Sequence, residues 1–199
     1  MNKRCTWPGE DPLYIRYHDR EWGVPVHSDR KLFEFLVLEG AQAGLSWITV
    51  LKKRPAYRTA FDNFDFNKVA CYNETKIKQL LNNPGIIRNK LKIRSTISNA
   101  GAFIDVRKEF GTFNKYIWQF VDGKPVQNKF SSMQQIPAKT ALAEQISKDL
   151  KKRGFNFVGP TIVYAHMQAT GMVNDHVMGC FRYKDIKELC QNQYVYNDK

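Results

Sequence analysis

Between the breaker NNPG, which ends at Gly85, and the glycine at Gly111, apolar residues fall at Ile93, Ile97, Ala100 and Ile104. That spacing puts all four on one face of a helix. One long helix is expected from about Ile87 to Phe110, stopped by Gly111. A chain built around such an element must find further faces to cover it, and the flanking segments offer more helices.

Ser28 and Asp29 are suited to cap a helix that carries Leu32, Phe33, Leu36 and Val37 at helical spacing, with Gly40 and Gly44 as breaks. A second helix is expected from Ser46, carrying Trp47, Ile48, Val50 and Leu51 and ending in the basic turn Lys52, Lys53, Arg54. Pro55 fits the first position of another short helix reaching Phe61. Asp65 and Asn73 are expected N-caps. TFNKYIWQFV reads as a helix, and the stretch from Asp122 to about Pro137 as a loop. Thr140–Arg153 carries Leu142, Ile146 and Leu150 inward, and Pro160–Ala169 is the next helix, stopped at Gly171. No segment alternates as a strand does, so the expected class is all-α. Residues 1–182 are expected to form one body, followed by a polar tail, 183–199, loosely held at its end.

No run of eighteen apolar residues is present, which argues against a membrane span. The first residues lack an apolar signal core, and Cys5, Cys71, Cys180 and Cys190 are too scattered for a secreted disulfide framework. A cytoplasmic protein with reduced or metal-bound thiols is expected. The net charge of +12 has its lysines and arginines clustered in LKKRPAYR, IIRNKLKIR and KDLKKRGF. Basic faces of this kind suit nucleic acid, because each neutralised phosphate releases counterions. A merely solvated, charged surface would read the same way.

Near the chain's far end, VNDHVMGC sets His176 and Cys180 four residues apart, a spacing that brings side chains together on a helix. Cys5 and His18 supply a second such pair. Together they make two thiolates and two imidazoles, the ligand set of a tetrahedral zinc with no open position for water. The alternative is a core histidine beside two cysteines acting as small hydrophobes. His27 and His166 read as packing or surface residues, and Cys71 and Cys190 as plain thiols.

KKRGFNFVGPTIVYA joins two expected helices through a turn bounded by Gly154 and Gly159. Backbone N–H groups at such a helix start, beside Lys151, Lys152 and Arg153, can hold a phosphate without reading sequence. The element looks like a helix-hairpin-helix, although an ordinary helix connection would also explain it. Elsewhere, Tyr14, Tyr17 and Trp22 flank His18, while Glu39, Gln42 and Trp47 surround a glycine-rich bend. A base taken out of its stack needs aromatic faces and a polar group for its edge. Tyr17 and Trp47 offer the faces and Glu39 an acceptor that a cationic ligand would match; a plain core with a solvated glutamate is the alternative.

DPLYIRYHDREWGVP, LEGAQAGLSWITVLKKR, GIIRNKLKI, KRGFNFVGPTI and GMVNDHVMGC, in this order and spacing, closely resemble the 3-methyladenine DNA glycosylase I family of bacterial alkylation-repair enzymes. The resemblance covers roughly residues 4–182. It implies an all-α helix-hairpin-helix glycosylase fold whose terminal segments are joined by a structural Zn²⁺ on Cys5, His18, His176 and Cys180. It further implies monofunctional excision of N3-methyladenine from double-stranded DNA by a monomer, with free 3-methyladenine as product. Glu39 would hydrogen-bond the flipped base, Tyr17 and Trp47 would stack on it, Tyr14 would complete the pocket and Trp22 support its wall. Gly44 and Leu45 would fill the gap left in the duplex, and Gly159 would lie in the phosphate-binding hairpin. Asp175 lies near the place where the wider superfamily carries a catalytic Asp, but the resemblance gives it no role as general base. The rival from another class is a non-catalytic, zinc-stapled DNA-binding module.

Overall fold

The computed structural model describes residues 3–195, with side chains to Leu189. Helix α1, Pro12–Arg20, starts at Asp11, whose carboxylate accepts from the backbone N–H groups of Leu13 and Tyr14. Helix α2, Asp29–Gln42, is buried without interruption from Leu32 to Ala41. A helix that is buried all round is the centre of its fold. The long helix packs against it: α6, Lys90–Phe110, begins later than expected because Asn89 accepts from Lys92 N and caps it there. Its buried stripe runs through Ile93, Thr96, Ala100, Phe103 and Val106, leaving Ile97 and Ile104 half-buried at the edge.

The expected break at Pro55 does not occur. Helix α3 runs unbroken over Trp47–Ala60 with Pro55 inside it. A helix-interior proline costs about 3 kcal/mol. Here that cost is offset by a buried face on either side of it, Val50, Leu51, Arg54 and Tyr57, and by Arg54's bond to Glu34. Helices α4 (Phe66–Ala70) and α5 (Glu74–Asn82) start at Asp65 and Asn73, whose side chains cap them as expected. Helix α7, Phe113–Trp118, continues as a 3-10 turn to Val121.

Helices α8 (Ala141–Lys152) and α9 (Pro160–Ala169) form the hairpin, with Thr140 and Gly159 at their starts. Two strands escape sequence reading because each has only two residues. In them β1 (Val126–Gln127) lies parallel to β2 (Val173–Asn174), fastening the 122–137 loop to the segment that leads into His176. Residues expected as a polar tail continue as helix α10, Phe181–Val195, with Tyr183 and Ile186 buried. The expectations for the Cys190 side chain and for the loose end of the tail lie outside what is described. Among the described residues no helix is long and apolar enough to cross a membrane.

Candidate active site and metal group

A cavity of about 390 Å³ opens between the N-terminal helices, α9 and the loop before α8. That volume suits a small molecule of a few rings. Tyr14, Tyr17, Trp22, Glu39, Gln42 and Trp47 all line it. Helix α1 brings the two tyrosines, the end of α2 brings Glu39 and Gln42, and α3 opens with Trp47. The ring centroids of Tyr17 and Trp47 are 5.5 Å apart with the planes at 47°. They form a corner rather than a parallel slot.

Glu39 is 4% exposed, and no described residue gives it a hydrogen bond or an ion pair. Burial alone pushes its carboxyl up to about 8. The contrast with Glu34, on the same helix, is instructive. Glu34 is equally buried but takes Arg54 Nε at 2.8 Å and Arg58 Nε at 2.9 Å. One glutamate is neutralised by the fold, while the other is left for something that enters the cavity. Burial, and then the charge of Glu39, raises the hydroxyl pKa of both Tyr14 and Tyr17. Among the described residues the indole N–H groups of Trp7 and Trp47 are buried without an acceptor. The cavity thus offers an unpaired carboxyl and several aromatic faces.

Sequence reading missed Trp7, Tyr164 and Gln168 in this wall. Trp7 is the hub of the aromatic cluster, 4.7 Å from Tyr14 and 5.1 Å from Trp22, both edge-on. Its only signal is its position two residues after Cys5. Tyr164 and Gln168 sit one turn apart on α9, which looked like nothing more than the second arm of the hairpin.

Behind the cavity, Cys5, His18, His176 and Cys180 are all buried and their ligand atoms lie within 4.8 Å of one another. Cys5 Sγ and Cys180 Sγ are each 3.7 Å from His176 Nδ1, and Cys180 Sγ is 3.6 Å from His18 Nε2. The outer nitrogens are already engaged: His18 Nδ1 donates to Asp19 at 2.7 Å, and His176 Nε2 to the Trp22 carbonyl at 3.0 Å. Both inner nitrogens therefore turn a lone pair toward the sulfurs. Asp19 is itself held by Arg4. The Cys180 thiol is drawn down in pKa chiefly by the hydrogen bond with Cys5, while that bond and burial push Cys5 up. These four residues can hold a metal ion. Gly23 faces them at φ +80, where a Cβ would stand 3.1 Å from His176 Nε2.

His166 stands apart from this group, buried with neither ring nitrogen partnered among the described residues, and burial lowers its pKa to about 4. His27 is bonded to Asn114, and Cys71 is exposed.

The residues expected to meet DNA are divided. Gly44, at φ +77, turns the chain after α2 and presents Leu45, 41% exposed. Lys92 Nζ fixes this bend by donating to the carbonyls of Ala41 at 2.8 Å and Ala43 at 2.6 Å. At the hairpin Lys152 is exposed, and a Cβ at Gly159 would meet nothing within 4 Å. Arg153 is different: it donates to Glu109 at 2.7 Å and Asp149 at 2.8 Å and lies over the rings of Phe110 and Tyr116.

A family model described as methyladenine glycosylase matches residues 7–183. The chain is 50% identical over 181 residues to DNA-3-methyladenine glycosylase 1 of Escherichia coli (strain K12), covering 91% of this chain and 97% of that protein. A crystal structure of 3-methyladenine DNA glycosylase I superposes with a TM-score of 0.88 at 52% identity, over 90% of this chain and 98% of that one. The structure describing 3-methyladenine recognition by 3-methyladenine DNA glycosylase I from Staphylococcus aureus gives a TM-score of 0.87 at 35% identity, over 89% and 95%. This chain belongs to the methyladenine glycosylase family.

Proposed function

We propose that the chain is a DNA-3-methyladenine glycosylase that hydrolyses the N-glycosidic bond of N3-methyladenine in double-stranded DNA and so begins base excision repair. The observation that carries this reading is Glu39, a buried carboxyl without a protein partner in a cavity walled by aromatic rings. Such a site is costly until it meets a cation with a flat face. N3-methylation gives adenine that charge while keeping it flat. The bond from the sugar to the base breaks with its electron pair leaving on the base, which becomes neutral 3-methyladenine. The oxocarbenium-like sugar is captured by water, which then loses a proton. Because the leaving group is already activated, the protein has chiefly to extrude the nucleotide, orient it and balance its charge. Neutral adenine would meet the same carboxyl with no charge to match it.

In this reading the base leans into the corner of Tyr17 and Trp47, with Tyr14, Gln42 and Trp22 completing the wall. Leu45, carried on the Gly44 turn, fills the space left in the duplex. The α8–α9 hairpin acts as a helix-hairpin-helix, with Lys152 and the N–H groups after Gly159 on a phosphate. Arg153 pins the hairpin to α6 from within. The protein works as a monomer.

The metal is read as a structural Zn²⁺ on Cys5, His18, His176 and Cys180. Zinc–ligand lengths of about 2.3 Å to sulfur and 2.1 Å to nitrogen put tetrahedral S···N edges near ~3.6 Å. The 3.6–3.7 Å contacts found here support that fit. Four protein ligands would leave the ion no place for substrate, so its contribution is to fasten the ends of the chain beside the pocket.

Incubation with methylated duplex DNA, followed by chromatography of the small molecules released, tests the activity. Free 3-methyladenine is expected. Tight DNA binding without release would favour the zinc-stapled binding module.

A further inference from the structure

Asp175 precedes the ligand-group residue His176, is 1% exposed and stands outside the cavity lining. Its Oδ1 accepts from Asn128 Nδ2 at 2.6 Å. Its Oδ2 accepts from the Tyr164 hydroxyl at 2.5 Å and from Gln168 Nε2 at 2.7 Å. Tyr164 and Gln168 are lining residues, and Asn128 belongs to the loop that supplies Met133 and Ile136 to the same cavity. One buried carboxylate therefore gathers two parts of the pocket wall.

The direction of these bonds matters more than their number. All three partners meet Asp175 with a donor, Asn128 Nδ2, Gln168 Nε2 and the Tyr164 hydroxyl, so the Tyr164 proton points at Asp175. Gln168 must likewise present its NH₂ there, because the flipped amide would set carbonyl against carboxylate. The end left over is Gln168 Oε1, which no described residue reaches with a donor. An amide free to turn would offer a ligand either a donor or an acceptor. This one is committed to acceptance.

We propose that Asp175 is a positioning residue that orients the Gln168 amide, making its Oε1 the acceptor for the exocyclic amine of the bound base and selecting 6-amino over 6-oxo purines. The inference rests on the reading that this cavity holds the excised base. A 3-methyladenine amine would donate to Oε1, whereas the O6 of 3-methylguanine would meet it acceptor to acceptor. Sites that read a polar edge discriminate by leaving the wrong ligand's groups unpaired.

The test measures binding of free 3-methyladenine and 3-methylguanine through the fluorescence of the pocket tryptophans, in wild type, Asp175→Asn, Gln168→Leu and the double variant. Melting curves and metal content are followed on the same samples. Asp175→Asn is expected to weaken 3-methyladenine about tenfold, the scale of one mispaired buried hydrogen bond, and to narrow its preference over 3-methylguanine. In the Gln168→Leu background the same change is expected to alter affinity less than twofold. Equal weakening of both bases at an unchanged ratio, or additive losses in the double variant, would overturn the proposal and leave Asp175 a packing residue. If Asp175→Asn does not fold, Gln168→Leu decides alone, since Asp175 keeps its Asn128 and Tyr164 partners, and a wild-type preference in that variant refutes the role. A wild type that binds neither base would instead bring down the pocket reading on which the inference stands.

Discussion

Exchanging Glu39 for glutamine should make the protein more stable and less active, and the size of both effects follows from its burial. In the folded state the carboxyl pKa is pushed up to about 8, from an ordinary value of 4.5. Between those values the folded protein retains a proton that the unfolded chain has released. Glu39 therefore costs nothing below about pH 4.5, an increasing amount as pH rises, and a constant amount above 8. At pH 7 the gap is about 2.5 pH units, on the order of 3 kcal/mol at ~1.4 kcal/mol per unit. Glutamine has no charge to lose and escapes this term. Each kcal/mol moves the melting temperature of a domain this size by about 2–4 °C, so Glu39→Gln should melt roughly 6–12 °C higher at pH 7. At pH 5 the two proteins should melt almost together. Titrations of Cys5, Cys180 and the histidines are common to both and cancel in the difference. In the opposite direction, losing a charge-assisted contact of about 1.5–3 kcal/mol should cut kcat/KM for 3-methyladenine release about 10- to 100-fold, with DNA affinity retained. The assay pairs melting curves at pH 5 and 8 with single-turnover base release. A variant no more stable than wild type at pH 8, or one that releases base at the wild-type rate, would refute the argument that this carboxyl is held unpaired for a cation.

Cys180→Ser should lose bound zinc and melt on the order of 10 °C lower, which metal analysis and calorimetry would check together; a full equivalent of zinc at the wild-type melting point would discount the four-ligand group. Leu45→Ala should slow excision from duplex DNA about tenfold while sparing single-stranded substrate, where no stack needs filling. Lys152→Gln should reduce the slope of log binding against log salt by about one. Arg153→Met should leave that slope alone and instead lower stability by about 1 kcal/mol, because its guanidinium already holds Glu109 and Asp149.

Features whose cause is local were legible in the sequence. Asp65, Asn73 and Thr140 cap helices because a short polar side chain reaches an N–H three residues on, and Gly111 ends α6 at φ +81 because other residues resist that conformation. The helix running through Pro55 was not legible, since its continuity comes from packing against α2. Nor were the two-residue strands, which are too short to show a period. At the site, Tyr14, Tyr17, Glu39, Gln42 and Trp47 could be read because they crowd into two adjoining segments. Tyr164 and Gln168 could not, since only the fold brings α9 to the same cavity. The sequence also treats Glu34 and Glu39 alike; what separates them is that Arg54 and Arg58 reach the first. In the sequence Arg153 reads as one more basic residue beside the hairpin; that Glu109, far away in the chain, holds it depends on the fold.

The metal group joins Cys5 to His176 across a separation of 171 residues. Closing a contact of such range costs loop entropy. Trp7 and Trp22, which touch this group, are also walls of the cavity. During synthesis the first residues of the pocket therefore wait, without their partners, until His176 and Cys180 have emerged. A chain cut short of His176 and Cys180 would carry the basic segments but no finished chamber for a base, so excision becomes available only once those two residues have been made.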